Sequence, residues 1–259
     1  MANLCVVNEY ILILSHKSVD ISRLLEDSRE RVEFVRIRSF KALDDFDSCM
    51  KFQEGHLDVL RSFGFQVSSS REDWMSSEYV HVVLVESQDG NKVYGGARIE
   101  EANKGRVLPV QSAISYLDQR IDDFVEQRAN CKFGELCGLW NSVAVAGLGI
   151  GSVYSIRSAL ALAIQLEYDQ ILALCSVHSF KMASNFGFSL IKEIGDSGIL
   201  YYEGAKQNAH ITIQESLQRL DNSDENEKSK IFSLVQNPNQ IIEESRNKVN
   251  LTIEYKLSK

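Results

Sequence analysis

Residues 133–152 read FGELCGLWNSVAVAGLGIGS, and this stretch decides the fold. Phe133 to Val145 is strand-like and runs into Gly147-Leu148-Gly149-Ile150-Gly151-Ser152. From Val153 to Leu166 the apolar residues Ile156, Leu160, Ala163 and Ile164 then recur at helical spacing. A strand that passes through a glycine loop into a long helix leaves backbone N–H groups open to approach at the positive end of the helix dipole. Such a loop suits a phosphate or pyrophosphate, or else is a tight turn without a ligand. A Rossmann dinucleotide site fits poorly. It needs glycine three places after Gly149, where Ser152 stands, and an acid at the end of the next strand, whereas Glu167 falls before it.

Downstream, Gln170 to Val177 (QILALCSV) is a near-continuous apolar run of the kind a buried strand gives. Ser179 to Phe186 reads as a short helix that Gly187 ends. Ser189–Ile194 and Ile199–Ile213 read as two further strands around Gly195-Asp196-Ser197-Gly198. Upstream, Val32 to Arg38 (VEFVRIR) alternates as a strand does. Phe40 to Phe63 is helical, as one helix or as two broken at Gly55, with Phe46, Met50, Leu57 and Leu60 expected to face the core. Tyr79–Glu86 and Val93–Glu100 flank the turn residues Ser87 to Asn91 and predict a hairpin. Val110 to Arg128 reads as one amphipathic helix. Past Glu215 the pattern weakens: Asp221 to Lys230 (DNSDENEKSK) reads as a charged connector, with a helix and a terminal strand, Val249 to Leu257, beyond it. This order implies a mixed α/β sheet. The expected division is an N-terminal extension over 1–31, a main domain over 32–215 and a C-terminal helix-and-strand extension over 216–259.

Composition narrows the function. Of 259 residues, 44% are hydrophobic and 25% charged, which is ordinary for a globular chain. Asp and Glu number 36 against 28 Lys and Arg, a net charge of -8 that disfavours a groove for nucleic acid. The five cysteines form no CxxC pair and follow neither zinc nor disulfide spacing, so no metal is expected and the compartment reads as reducing. The first residues lack the basic segment of a secretory signal. No apolar run reaches the ~18–20 residues that span a bilayer. A cytoplasmic protein without a membrane span is the expectation.

The stretch from Gly134 to Phe188 resembles the core of the GCN5-related N-acetyltransferases. Ala146 to Gly151 is similar to that family's Arg/Gln-Gly-x-Gly-x-Gly/Ala loop, and Asn185-Phe186-Gly187-Phe188 to the motif that closes its last helix. Asp73-Trp74, His81 to Val85, Gly95 to Ile99 and Gly134 to Cys137 are similar to the acyl-homoserine-lactone synthase and ornithine-lipid acyltransferase branch. The resemblance implies an α+β fold: a mixed, largely antiparallel sheet whose parallel strands splay apart. It further implies transfer of an acyl group from acetyl-CoA or a longer acyl-CoA, or from acyl carrier protein, to the amine of a small molecule or amino acid. Three residues depart from the pattern: Ala146 replaces the usual Arg or Gln, Ala183 a tyrosine that protonates the leaving thiolate, and Gly138 an arginine of the homoserine-lactone branch. They leave two alternatives, a non-catalytic module that binds acyl-CoA or a partner, and a synthase that uses S-adenosylmethionine.

Acyl transfer to an amine needs a base, an oxyanion donor and a proton for the departing sulfur. Under the resemblance Glu135 is the base candidate, although a structural carboxylate reads equally well. The carrier-binding set is Trp140, Asn141, Gly147, Leu148, Gly149, Ile150, Gly151 and Ser152, with the oxyanion donor a backbone N–H near Trp140 or Asn141. His178, after the buried strand, can supply the proton; Tyr201 and Tyr202 are the substitutes. Arg98 reads as a clamp for an acceptor carboxylate or a carrier phosphate, or as a surface ion pair. Trp74 and Trp140 read as acyl-pocket or core residues. Cys137 shares the face of Glu135, but a nucleophilic role requires a histidine partner and an electropositive setting. Gly151→Val is expected to weaken acyl-CoA binding without unfolding the chain.

Overall fold

The computed structural model describes residues 32–62, 73–103, 105–145, 150–202, 207–246 and 249–259. Its elements, in chain order, are β1 (Phe34–Lys41), α1 (Phe46–Ser62), β2 (Val80–Glu86), β3 (Val93–Glu101), α2 (Pro109–Ile114), α3 (Arg120–Glu126) and β4 (Phe133–Asn141). There follow α4 (Val153–Gln165), β5 (Gln170–Ser176), α5 (Val177–Ala183), β6 (Ser189–Leu190), β7 (Ile199–Tyr202) and β8 (Gln207–Gln214). The chain closes with α6 (Glu225–Gln236), β9 (Asn239–Arg246) and β10 (Val249–Lys256). The strands form one sheet in the order β6-β8-β5-β4-β3-β2-β1-β10-β9, with β7 also paired to β8. Among the described residues only the β4–β5 and β1–β10 pairs are parallel. The sheet is therefore mixed and largely antiparallel.

Both faces are covered, for reasons visible in the sequence. α4 is buried from Val153 to Ile164, and its residues from Ala159 to Ala163 are fully buried between the sheet residues Val83, Val85, Ala97 and Ile99 and the inner face of α6. On the other face, α2 and α3 bury Val110, Ile114, Ile121 and Phe124 against Phe133, Leu172 and Ile213. Beside them α1 packs Phe52 on Trp74, Val82, Leu84 and Trp140.

Several local expectations are corrected. α1 is continuous through Gly55, and the buried stripe is Ser48, Cys49, Phe52, Gln53, His56, Val59 and Leu60, while Phe46 is exposed. Val110 to Arg128 is two short helices: the Asp118 carboxylate between them accepts the Gly195 N–H and pairs with Arg120, which fixes the break. The charged stretch 221–230 is the start of α6. Asp224 caps it, its Oδ1 accepting the Asn226 and Glu227 amides at 3.0 and 3.1 Å, and Glu225 and Glu227 lie in its first turn, where the helix dipole favours them. The segment beyond residue 215 adds two strands, not one, and inserts β10 beside β1. A buried ion cluster ties it down: Arg157 of α4 donates to Glu227 at 2.8 Å and to Glu244 at 2.9 Å, and Lys230 closes on Glu244 at 2.6 Å.

Candidate active site

The parallel strands β4 and β5 pair at three positions only, Phe133–Gln170, Gly134–Ile171 and Glu135–Leu172. Beyond Glu135 they part, as expected of a splayed central sheet. A cavity of about 40 Å³ lies in the gap, lined by residues of both strands, α4 and α5, among them Leu136, Leu174, Ile156 and Ala183, and by Phe188. The cause of the divergence is local. Gly96 pairs with Trp140 and Arg98 with Cys137, so two steps along β3 face three along β4. The extra residue makes a bulge at Gly138–Leu139, and Gly138 has φ +58°, in the left-handed region that favours glycine. Both bulge residues line the cavity.

At the mouth of the gap the chain reaches α4. Gly147, Leu148 and Gly149 lie outside the described residues. Ile150 is buried in the main core, and Ser152 occupies the N-cap position of α4 without a side-chain capping bond. Gly151 sits where the chain passes closest to β3 and β4: a Cβ there would lie 2.3 Å from Asn141 Oδ1 and 2.8 Å from the Tyr94 carbonyl. Its N–H donates to Asn141 Oδ1 at 2.7 Å. The Gly151 amide is thus engaged by Asn141, a structural duty in place of the open donor expected from the sequence. Trp140 packs edge-on to Phe52, its ring held against Gly55 of α1.

On the face opposite α4, neighbouring strands bring four ionisable groups together. Arg98 faces Cys137 across the β3–β4 ladder, and Glu100 faces Glu135. Glu135 is fully buried, and its Oε2 accepts the Val110 N–H at 2.8 Å. Pro109 at the first position of α2 has no N–H, so this is the first amide that helix presents. Arg98 is also fully buried, which removes the reading of a surface ion pair; its Nη2 lies 3.0 Å from Glu100 Oε1. The other Glu100 oxygen pairs with Arg106. The Arg98 guanidinium stacks 4.2 Å from the Trp74 ring centroid. His56 lies beside this group, and burial, reinforced by the Arg98 charge, depresses its pKa to about 3. Among the described residues the ring nitrogens His56 Nε2, Trp74 Nε1 and Trp140 Nε1 have no hydrogen-bond partner.

The structure does not bring His178 into this group. It is exposed on the first turn of α5, and the residues of that helix that line the cavity are Ser179 and Ala183. Tyr201 is exposed on β7. Sequence reasoning missed Glu100 and Arg106. The signal for Glu100 was present, since it stands two residues from Arg98 on one strand and so shares its face.

The chain matches no protein-family model and no curated protein. Solved structures are similar in fold. FeeM, an N-acyl amino acid synthase from uncultured soil microbes, aligns at 13% identity over 78% of this chain and 98% of its own, with a TM-score of 0.52. MesI, a CoA-dependent acyl-homoserine lactone synthase, aligns at 13% identity over 76% and 95%, with a TM-score of 0.51. A second CoA-dependent synthase of that kind, BjaI, aligns at 12% identity over 76% and 89%, at 0.50. The protein has the GCN5-related N-acetyltransferase fold, as the resemblance implied. Among the described residues no helix is long and apolar enough to cross a membrane.

Proposed function

We propose that the protein is an acyltransferase that moves an acyl group from an acyl-CoA thioester to the amine of a small molecule or amino acid. The observation that carries this reading is the divergence of β4 and β5 after Glu135, which leaves an apolar gap aimed at the N-terminus of α4. Two such strands suit an extended thioester arm, because their edges offer it backbone hydrogen bonds and their side chains exclude water. The amides of the first turn of α4 favour the pyrophosphate.

In this reading Glu135 takes the proton of the acceptor ammonium, directly or through one water. The amine then attacks the thioester carbonyl beside the Gly138–Leu139 bulge, where an interrupted ladder leaves backbone N–H groups for the oxyanion. Arg98 and Arg106 hold Glu100, and so keep the second carboxylate of the pair compensated. Acyl carrier protein is the alternative donor.

Thermal-shift titration with acetyl-CoA, octanoyl-CoA and S-adenosylmethionine, followed by a thiol-release assay with amino acids and polyamines, tests the reading. Stabilisation by an acyl-CoA with amine-dependent thiol release is expected. Glu135→Gln, which keeps an acceptor for the Val110 amide, is expected to lower turnover by roughly 10²–10⁴-fold at unchanged acyl-CoA affinity. Stabilisation without thiol release favours the second reading, a binding module without turnover. That reading draws on Ala183 and on a cavity lining that offers no carboxylate or imidazole among the described residues. Stabilisation by S-adenosylmethionine favours a synthase of the homoserine-lactone type.

A further inference from the structure

The cavity lining contains three side chains able to form or break a bond to hydrogen: Cys137, Cys175 and Ser179. Two of them are committed elsewhere. The Ser179 hydroxyl completes the capping box of α5, 2.9 Å from Ser176 Oγ and accepting the Ser176 amide at 2.8 Å. Cys175 is kept as a thiol, its pKa pushed up to about 11 by burial, and its Sγ lies 3.6 Å from Thr212 Oγ1. Cys137 differs from both. Its Sγ is 3.8 Å from the Arg98 guanidinium and 3.7 Å from Glu100 Oε1. A cation beside a thiol stabilises the thiolate, and a carboxylate at that distance can take the proton. Arg98 supplies the electropositive neighbour that a nucleophilic cysteine requires, and Glu100 takes the place of a histidine. The nearby Glu135 carboxylate is turned to the first amide of α2. Cys137 also stands one residue before the bulge, where the two strands begin to part.

We propose that Cys137 takes the acyl group from the thioester before the amine does, so that the chain carries a covalent S-acyl intermediate. The inference rests on the acyl-CoA reading above. The Cys137 proton passes to Glu100, and Sγ attacks the thioester carbonyl carbon. A carbon–Sγ bond forms as the bond from that carbon to the CoA sulfur breaks. The departing thiolate recovers the proton held by Glu100 and leaves as CoA thiol. One thioester replaces another, with no oxidant or reductant. The amine then attacks acyl-Cys137: the amide bond forms as the bond from the carbonyl carbon to Sγ breaks, and the proton the amine loses returns through Glu100 to the Cys137 thiolate, which restores the thiol beside Arg98.

The test incubates the full chain with acetyl-CoA or octanoyl-CoA without amine, and follows intact mass and thermal shift on the same samples. One acyl group per chain is expected, removed by neutral hydroxylamine and mapped to the peptide of Cys137. Cys137→Ser, which preserves size and hydrogen bonding, is expected to keep the thermal shift and lose the thioester adduct. A thermal shift in the parent without an adduct, or an adduct mapped to another cysteine, overturns the inference and leaves the acyl-CoA reading standing. No thermal shift with either acyl-CoA overturns both. The mapped adduct in the parent decides the matter even where a Cys137 variant fails to fold.

Discussion

Replacing Gly151 by alanine separates a glycine that serves the fold from one that serves a ligand. The new Cβ would meet Asn141 Oδ1 at 2.3 Å, the Tyr94 carbonyl at 2.8 Å and Asn141 Cα at 2.9 Å. The Tyr94 carbonyl cannot retreat freely, because it already accepts the Ser142 amide at 2.8 Å. Nor is there slack on the β3 side, where Gly95 lies so near that its own Cβ would be 2.5 Å from Gly151 Cα. Relief to an ordinary contact moves the loop by roughly 1 Å, which breaks the Gly151–Asn141 hydrogen bond. Loss of that bond costs about 1 kcal/mol, and the overpacking about 1–3 kcal/mol. At roughly 2–4 °C per kcal/mol for a chain of this size, the melting temperature should fall by about 4–16 °C. Under the proposed function, acyl-CoA affinity should fall with it, because the start of α4 shifts relative to the gap. Asn141→Ala should reproduce part of the loss, and the two changes should be less than additive, since they remove one shared bond. Calorimetric melts of the two variants and of their double are the assay. A Gly151→Ala protein that melts like the parent yet loses acyl-CoA binding tenfold would refute the structural role and return Gly151 to the ligand.

Gly55→Ala gains about 1 kcal/mol of helix propensity but places a Cβ 2.2 Å from Trp140 Cη2. Net destabilisation in urea melts is expected, and a higher midpoint would show that Trp140 moves freely. Arg157→Ala strands the carboxylates of Glu227 and Glu244 and should cost about 3–5 kcal/mol; Glu227→Gln and Glu244→Gln added together should recover part of it in the same melts. The folded pKa of His56, about 3, lies below the ordinary value of 6.5, so its contribution is full above that value and is lost as the pH falls. Below about pH 6 the unfolded chain takes up a proton that the folded one refuses, and stability should drop by up to ~1.4 kcal/mol per pH unit. His81, depressed to about 4, acts in the same direction. His56→Gln should flatten the dependence of urea midpoints between pH 7 and 5, and an unchanged slope would remove His56 from the account.

The sequence showed the strand–loop–helix unit and its parallel partner plainly, because apolar runs bounded by glycine leave few alternatives. It misled at α1 over Phe46, which is exposed, while Met50 packs on the core from a half-buried position and Leu60 is buried as expected. The buried stripe there carries Ser48, Gln53 and His56, with Ser48 accepting from Arg38 and His56 beside Arg98, and a helix that turns polar side chains inward hides that face from any hydrophobic pattern. Glu135 and Arg98 stood out on their strands. Glu100 was legible from its place two residues from Arg98 on the same strand, but Arg106 and Val110 were not, since the contact of Arg106 with Glu100 and the capping of α2 are tertiary facts. The opening of α6 was obscured for a similar reason: its capping aspartate and first-turn acids look like a solvated linker until the helix behind them is known.

The pairing of β10 with β1 bears on how the chain is made. Ser39 and Ser258, which exchange hydrogen bonds across that seam, are 219 residues apart. At ~5–20 residues per second a ribosome needs roughly 10–40 s to traverse that distance. Throughout that interval β1 can pair with β2 on one flank while its other flank has no strand to receive it. A nascent sheet with one open edge is the form that chaperones hold and that aggregates recruit. Stop codons that remove the last hairpin should therefore harm yield through insolubility, well before they touch the chemistry at the far side of the sheet.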